Sequence, residues 1–471
     1  MIVQTRLLIM VLVILLTGIL FQGCAHFESK PLDASENLSR LERRSLMDPG
    51  LRKFVETNLH KTFSEWPPNP LDFETLTLVA LYFSPGLNVA RAKSYETLAA
   101  KISAGEIPNP SIAFSPGYNT STPSGGISPW ILGLTFDFPI ETFGKRGYRS
   151  AEAQHLYDAA RLSIAGTAWD VRTGLKKAMI ALWQAKEQEQ LAKEKSDAMD
   201  ELVRISTARY KAGDIDKNEL ISMQLSAQQA HIEYSAVKGS AAGALINLEG
   251  AAGLAPHALD KLNIDLSGFE QVPPKIPSSS ARRIALLNRA DVLSSIAEYA
   301  AVESALRLEI AKQYPDLDIG PGYEYDQGDN KWQIGFQLTL PLFNRNRGAI
   351  AEAEARRTTA SANFNALQAK VLNDIEYSIA VFKNERDKLE GAVSALDSYK
   401  KQAELVHKQY EAGEVDKQTE ISSRLEVINA ASIQFDSRIK VQEALTDIEQ
   451  TLQTPLNASA LPIASILKEV K

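Results

Sequence analysis

The sequence predicts a mainly α protein with a small β part, in which long α-helical coiled-coil hairpins are joined to four strands of membrane-spanning length in two tandem repeats. Three observations carry that expectation. A turn motif occurs twice, with Tyr210, Ala212, Gly213, Asp216 and Lys217 recurring 200 positions later at Tyr410, Ala412, Gly413, Asp416 and Lys417. No proline interrupts Ile140 to Ala255 or Leu342 to Thr454. In the stretches 107–140 and 315–341, apolar residues alternate with small or polar ones, the period of strands with two unlike faces.

Length alone, at 471 residues, would suggest about three domains, but an internal duplication takes precedence over that prior. The net charge of -7 and the lack of a basic tract give no sign of a nucleic-acid partner.

Residues 1–23 have the build of a cleaved export signal. Arg6 precedes an apolar run from Leu7 to Leu20, and Gly23 precedes the only cysteine, Cys24. That run is shorter than the ~20 residues a membrane helix needs. Leu20-Phe21-Gln22-Gly23-Cys24 resembles a bacterial lipoprotein box, which would make Cys24 the lipidated first residue. An ordinary signal with an incidental cysteine is the alternative. A single cysteine excludes a disulfide within the chain.

Residues 24–70 read as an extended, lipidated N-terminal arm ending in Trp66-Pro67-Pro68-Asn69-Pro70. The first repeat, 71–252, then runs as helix, β-hairpin and long helical hairpin. In the hairpin, Ile112, Phe114 and Tyr118 form one strand, and Trp130, Leu132, Leu134, Phe136 and Phe138 the next, which Pro139 ends. A helix from about Gly147 to Arg209 would be roughly 90 Å long. It carries apolar or small residues at Val171, Leu175, Ala178, Leu182, Ala185, Ala192, Met199 and Val203, with Glu189 and Ser196 as interruptions, and should turn at Gly213 and return to about Gly250.

A Pro- and Ser-containing linker, 253–280, separates this from the second repeat, 281–455, whose helical hairpin turns at Gly413; residues 456–471 are a tail. Pro116-Gly117-Tyr118 reappears as Pro321-Gly322-Tyr323, 205 positions on, and Trp130 to Pro139 as Trp332 to Pro341, 202 positions on.

Each Gly is followed by an acid, an aliphatic residue and Asp, the pattern by which one helix stops and another starts. The turns are therefore expected at Tyr210, Gly213 and Asp216, and at Tyr410, Gly413 and Asp416. Around them Asp214, Glu219, Glu414 and Glu420 would crowd like charges that Arg209, Lys217, Lys408 and Lys417 could answer, making a candidate gate. Solvated helix ends are the plainer reading of the same charges. In the strands, Asp137, Asp318, Glu324 and Asp326 fall on the parity opposite to the aromatic residues and would face a lumen. Lys145, Arg146, Arg149, Arg345 and Arg347 follow the strand-ending prolines, where they either solvate helix starts or meet anionic lipid.

Catalytic chemistry and cofactor sites are not indicated. The six histidines, His26, His60, His155, His231, His257 and His407, have no metal-ligand spacing; no phosphate loop occurs; Ser, His and Asp form no recognisable constellation.

The order of elements, with the run Trp332 to Gly348 leading into an Ala-rich helix, resembles the TolC-like outer-membrane efflux proteins. Gly144-Lys145-Arg146 and the lipoprotein start look closest to the heavy-metal branch, the CzcC- and CusC-like proteins. Membrane strands must close into a barrel because lipid satisfies no backbone group. Four strands cannot close, eight make a barrel filled by side chains, and twelve leave a lumen. The resemblance implies a homotrimer with one 12-stranded barrel and a helical periplasmic tunnel. It further implies an outer-membrane channel, lipid-anchored at Cys24, working with a periplasmic adaptor (membrane fusion protein) and an inner-membrane pump of RND type. Heavy-metal cations are then the expected cargo, and drugs or other small organic molecules the alternative. A periplasmic adaptor would show one hairpin with flanking β-domains, and a structural coiled-coil lipoprotein would lack alternating strands.

Overall fold

The computed structural model describes residues 26–121, 126–272 and 279–456. Cys24, the signal and the end of the tail lie outside the described residues. Contacts divide the chain into Met1–Arg44 and Ser45–Lys471.

In the first unit the described residues hold one helix, α1 (Ala34–Glu42), started by Asp33, whose carboxylate accepts the Ser35 and Glu36 amides. In the second unit α2 (Pro49–Leu59) begins with Asp48 as N-cap and Pro49 in the first turn, a proline position that costs no hydrogen bond. It buries Leu51 and Val55. The segment expected to be an extended arm therefore contains two helices, each announced by an Asp cap.

α3 (Phe73–Phe83) and α4 (Pro85–Ala104) break at Ser84, which caps α4 through its hydroxyl. β1 (Ser111–Tyr118) and β2 (Trp130–Ile140) follow. α5 (Lys145–Ala212) is 68 residues, roughly 100 Å at 1.5 Å per residue. The return path is broken at Lys238 and Gly239 into α6 (Lys217–Val237) and α7 (Ser240–Ala251), where one helix had been expected.

The second repeat supplies α8 (Ser279–Asn288), α9 (Ala290–Ala311), β3 (Leu317–Asp326), β4 (Asp329–Leu338), α10 (Arg347–Glu411) and α11 (Lys417–Leu452). β3 and β4 turn through Gln327 and Gly328, both at positive φ, the backbone of a tight hairpin.

α5 is the central strut. It packs against α4 of its own repeat, α9 of the next, and α11. The main core joins Leu76, Leu78 and Leu81 of α3 to Leu175, Met179 and Leu182 of α5 and Leu248 of α7. Part of the expected linker belongs to this core: Leu254, Leu259, Ile264 and Phe269 are buried, and Leu71 exchanges backbone bonds with Asn263 and Asp265. A second core lies between α10 (Ile375, Ile379, Phe382) and α11 (Ala444, Leu445, Ile448). At roughly 1.5–3 kcal/mol for each fully buried large apolar side chain, these cores hold the long helices side by side.

Candidate functional site: a one-sided sheet and two helical turns

The four strands form one antiparallel sheet in the order β1-β2-β3-β4. Directly opposed residues share a face. Phe136 opposes Ile112, Leu134 opposes Phe114 and Tyr323, Phe138 opposes Ile319, and Trp332 and Phe336 oppose Tyr323 and Ile319. These residues make one continuous apolar face that no other layer of the described residues covers: Trp332 is 82% exposed, Phe336 70% and Phe114 65%. A face of this size in water would be an association or membrane surface. Tyr118–Trp130 and Tyr323–Trp332 ring pairs, with centroids 5.1 and 4.9 Å apart, sit toward one end of it, the position of an interfacial aromatic girdle.

The other face is polar and small. Asp137 opposes Ser111, Asp318 opposes Pro139 and Gln337, Glu324 opposes Gly133 and Lys331, and Asp326 opposes Ile131 and Asp329. The register thus brings Asp137, Asp318, Glu324 and Asp326 to one face and adds Asp329 and Lys331, which the sequence reading had not singled out. Lys331 pairs with Asp326, so five carboxylates stand against one ammonium per chain. Gly117, Gly133, Gly320, Gly322 and Gly335 all belong to this face, which leaves space where side chains would otherwise fill it.

Where the sheet joins the helices, the basic residues divide. Lys145 is buried, its Nζ donating to the Tyr314 carbonyl at 2.7 Å and to Asp316 at 2.8 Å. Arg149 forms a two-pronged pair with Glu141 and donates to the Ala104 carbonyl. Both are spent on the protein, against the reading of them as solvated or lipid-facing. Arg146, Arg345 and Arg347 are exposed.

At the far end both turns are Schellman caps. The Gly213 amide donates to the Tyr210 carbonyl and that of Asp214 to Arg209; Gly413 and Glu414 repeat this with Tyr410 and Gln409. Gly213 at φ 85° and Gly413 at φ 77° occupy the left-handed region, which a Cβ opposes by about 1 kcal/mol or more. Asp216 and Asp416 then cap the returning helices through the Glu219 and Thr419 amides.

The charges around the two turns are arranged differently. Asp214, Lys217 and Glu219 are exposed and form no ion pair among the described residues, and neither does Glu414. The second turn is stitched. Lys417 reaches Glu420 at 2.5 Å and lies 4.9 Å over the Tyr410 ring, while His407 meets Glu420 at 2.9 Å. Lys417, then burial in the opposite sense, then His407 hold the Glu420 carboxyl below its usual range. The Thr419 amide and hydroxyl do the same for Asp416. Arg209 links the two repeats, donating to Gln418 at 2.5 Å and standing 4.0 Å from Asp416. Lys408 instead pairs with Glu404 on its own helix.

Two clusters escaped the sequence reading. Glu449 of α11 is buried between Arg172 and Lys176 of α5, at 2.7 and 2.9 Å, and its other oxygen accepts the Leu456 amide at 3.0 Å. Ser196, taken for an interruption, is buried and bonded to His231 at 3.0 Å, whose other nitrogen meets Asp200 at 2.9 Å. Ser196 and Asp200 are one turn apart on α5, on opposite nitrogens of the ring, so the trio ties α6 to α5. Among the described residues no group of His, Cys, Asp and Glu could hold a metal ion.

Four strands with one lipid-suited face and two open edges, continued by paired long helices, define a barrel-forming membrane protein. The chain belongs to the outer membrane efflux protein family, whose model matches residues 79–254 and 281–457. It is 24% identical over 322 residues to the cobalt-zinc-cadmium resistance protein CzcC of Cupriavidus metallidurans, covering 67% of this chain and 75% of that one. The outer membrane channel CmeC of Campylobacter jejuni superposes with a TM-score of 0.66 at 17% identity, over 95% of this chain and 98% of that one. CusC superposes with a TM-score of 0.66 at 15% identity, over 91% and 99%. The protein is therefore an outer membrane efflux protein, a family whose members are not enzymes.

Proposed function

We propose that three copies close one 12-stranded barrel in the outer membrane, continued by a helical tunnel in the periplasm, and that the channel conducts heavy-metal cations outward. A periplasmic adaptor and an inner-membrane pump of RND type supply the drive, and Cys24 carries a lipid anchor. The observation that supports this reading best is the one-sided sheet. Among the described residues no strand pairs with its outer edges, on β1 and β4, which lipid does not tolerate, so other copies complete them. With the aromatic face to lipid, the glycine-lined face with its excess of carboxylates faces the lumen, and acidic rings favour cations. Conduction needs no tight site, in keeping with a lumen of isolated acids. The relative named for cobalt, zinc and cadmium resistance supports the same cargo.

The turns at Gly213 and Gly413 form the periplasmic end, where the adaptor docks. Arg209 with Asp416 and Gln418 is the contact that must open there, because among the described residues it is the candidate gate cation with a hydrogen bond and an ion pair across the two repeats. Asp214, Lys217, Glu219 and Glu414 are left exposed for the adaptor. The test is export in a strain lacking this chain, measured by intracellular metal content against a panel of metal ions, dyes and antibiotics. Accumulation of divalent metals that reverses on complementation supports the reading. Accumulation of organic compounds with unchanged metal content overturns the cargo.

A further inference from the structure

The two repeats meet inside one chain, and that seam shows how the open edges are completed. At the seam β2 lies beside β3, with Leu134 opposite Tyr323, Thr135 opposite Gly322, and Phe138 opposite Ile319. α5 lies between α4 and α9, and Lys145, the first residue of α5, fills a corner made by the Tyr314 carbonyl and Asp316 just before β3. At the other edge the equivalents are present but unmatched. α10 begins with Arg347 after Asn346 at φ 57°, as α5 begins with Lys145 after Gly144 at φ 76°. Arg347 is exposed and has no polar partner among the described residues. The corner equivalent to Tyr314–Asp316 is Asn109–Ser111, also exposed. α4 leaves Val89, Tyr95 and Ile102 exposed along the helix whose counterpart, α9, is buried on α5 through Ser294, Ala301 and Leu308.

We infer that a second copy docks β1 and its Asn109–Ser111 corner against β4 in the register of the internal seam, and that Arg347 enters that corner as Lys145 enters its own. The inference rests on the reading that several copies close one barrel, and it supplies the register that reading lacks. Moving β2 forward by the 202 positions that separate Pro139 from Pro341, and β3 back by the 205 that separate Pro321 from Pro116, gives the opposed pairs. Phe336 meets Tyr118, Gln337 meets Gly117, and Leu340 meets Phe114 of the second copy. Parity provides an independent check. Phe336, Leu340, Tyr118 and Phe114 all carry on the apolar face, so the transferred register keeps both faces of the sheet continuous, whereas a slip by one residue would put aromatics among the acids. In the corner, the guanidinium can donate to the Asn109 carbonyl and the Ser111 hydroxyl. The Glu106 carboxylate, three residues earlier and exposed, supplies the charge that Asp316 supplies internally.

The test uses full-length protein in outer membranes with Cys24 retained. Gln337→Cys combined with Gly117→Cys should give covalent dimers and trimers with a short bis-methanethiosulfonate reagent, each thiol displacing one methanesulfinate, at least fivefold above either single variant. Pairing Gln337→Cys with Ser115→Cys or Asn119→Cys should give less. A stronger product with either of those pairs, or none with any pair while detergent-extracted protein remains trimeric by mass, overturns the register and leaves the barrel reading standing. Monomeric protein by mass overturns the barrel reading itself. Arg347→Glu should lower the yield of the Gln337–Gly117 cross-link at least fivefold, and Arg347→Lys should retain most of it. Equal yields for Arg347→Glu and the unmodified site overturn the corner contact.

Discussion

Replacing Glu449 with Gln would remove one charge and leave two cations buried. The side chains of Glu449, Arg172 and Lys176 are 4%, 4% and 12% exposed, so water cannot substitute for the lost carboxylate. Breaking a buried pair by removing one partner costs about 3–5 kcal/mol, far more than an exposed pair is worth. Because the protein has several cores, the loss is best read locally, as the opening of the C-terminal turns of α11 by amide hydrogen exchange. At about 1.4 kcal/mol per factor of ten, exchange across 440–452 should quicken roughly a hundred- to a few-thousand-fold. Replacing all three residues by apolar ones, Arg172→Met, Lys176→Met and Glu449→Leu, should recover most of the protection, since a packed apolar trio avoids the desolvation cost. Burial raises the Glu449 carboxyl, but Lys176 and Arg172 outweigh it and hold the pKa below the usual value. A lowered folded-state pKa gives stability that is present above the unfolded carboxylate value, about 4.3, and is lost as pH falls through the folded one. Wild-type protection should therefore decline in acid while the Gln variant shows no such loss. An acceleration under tenfold at neutral pH would refute the reasoning.

The other predictions concern the two ends of the molecule. Gly213→Val with Gly413→Val forces a β-branched side chain into the left-handed region twice, at about 1–2 kcal/mol each; export and adaptor cross-linking should be lost while trimers still reach the outer membrane, and normal export would exclude the turns as the docking surface. Arg209→Gln removes the charged link between repeats and should raise single-channel open probability several-fold, whereas the same change at Lys408, which pairs within its own helix, should leave gating unaltered. Cys24→Ser should abolish acyl labelling while some assembly persists; labelling that survives the change would remove the lipid anchor from the account.

What could be read in the sequence was what short-range chemistry specifies. Alternation over ten residues identified each strand and which residues share its faces, and the Gly-acid-aliphatic-Asp motif located both turns because the Schellman cap and the Asp cap are made within eleven residues. The four acids were placed on one face by parity alone, and the register agrees. What failed had distant causes or weak signals. Glu449 and Arg172 are 277 positions apart, and neither residue differs locally from any exposed helical charge. Ser196 broke an apolar pattern because it bonds to His231 on another helix. The N-terminal segment reads as extended because its prolines and polarity outweigh the Asp33 and Asp48 caps, the local signals that start its two helices. Linker composition likewise hid Leu254, Leu259, Ile264 and Phe269, whose spacing of five matches neither the helical nor the strand period, yet which fill the main core.

The central claim, a lumen formed by the acidic face of the sheet, is tested most directly by the reversal potential of single channels in a planar bilayer under a salt gradient. The intact protein should prefer cations, and Asp137→Asn, Asp318→Asn, Glu324→Gln and Asp326→Asn together should abolish that preference without closing the channel. Anion preference in the intact protein, or a cation preference untouched by the four changes, would contradict the account.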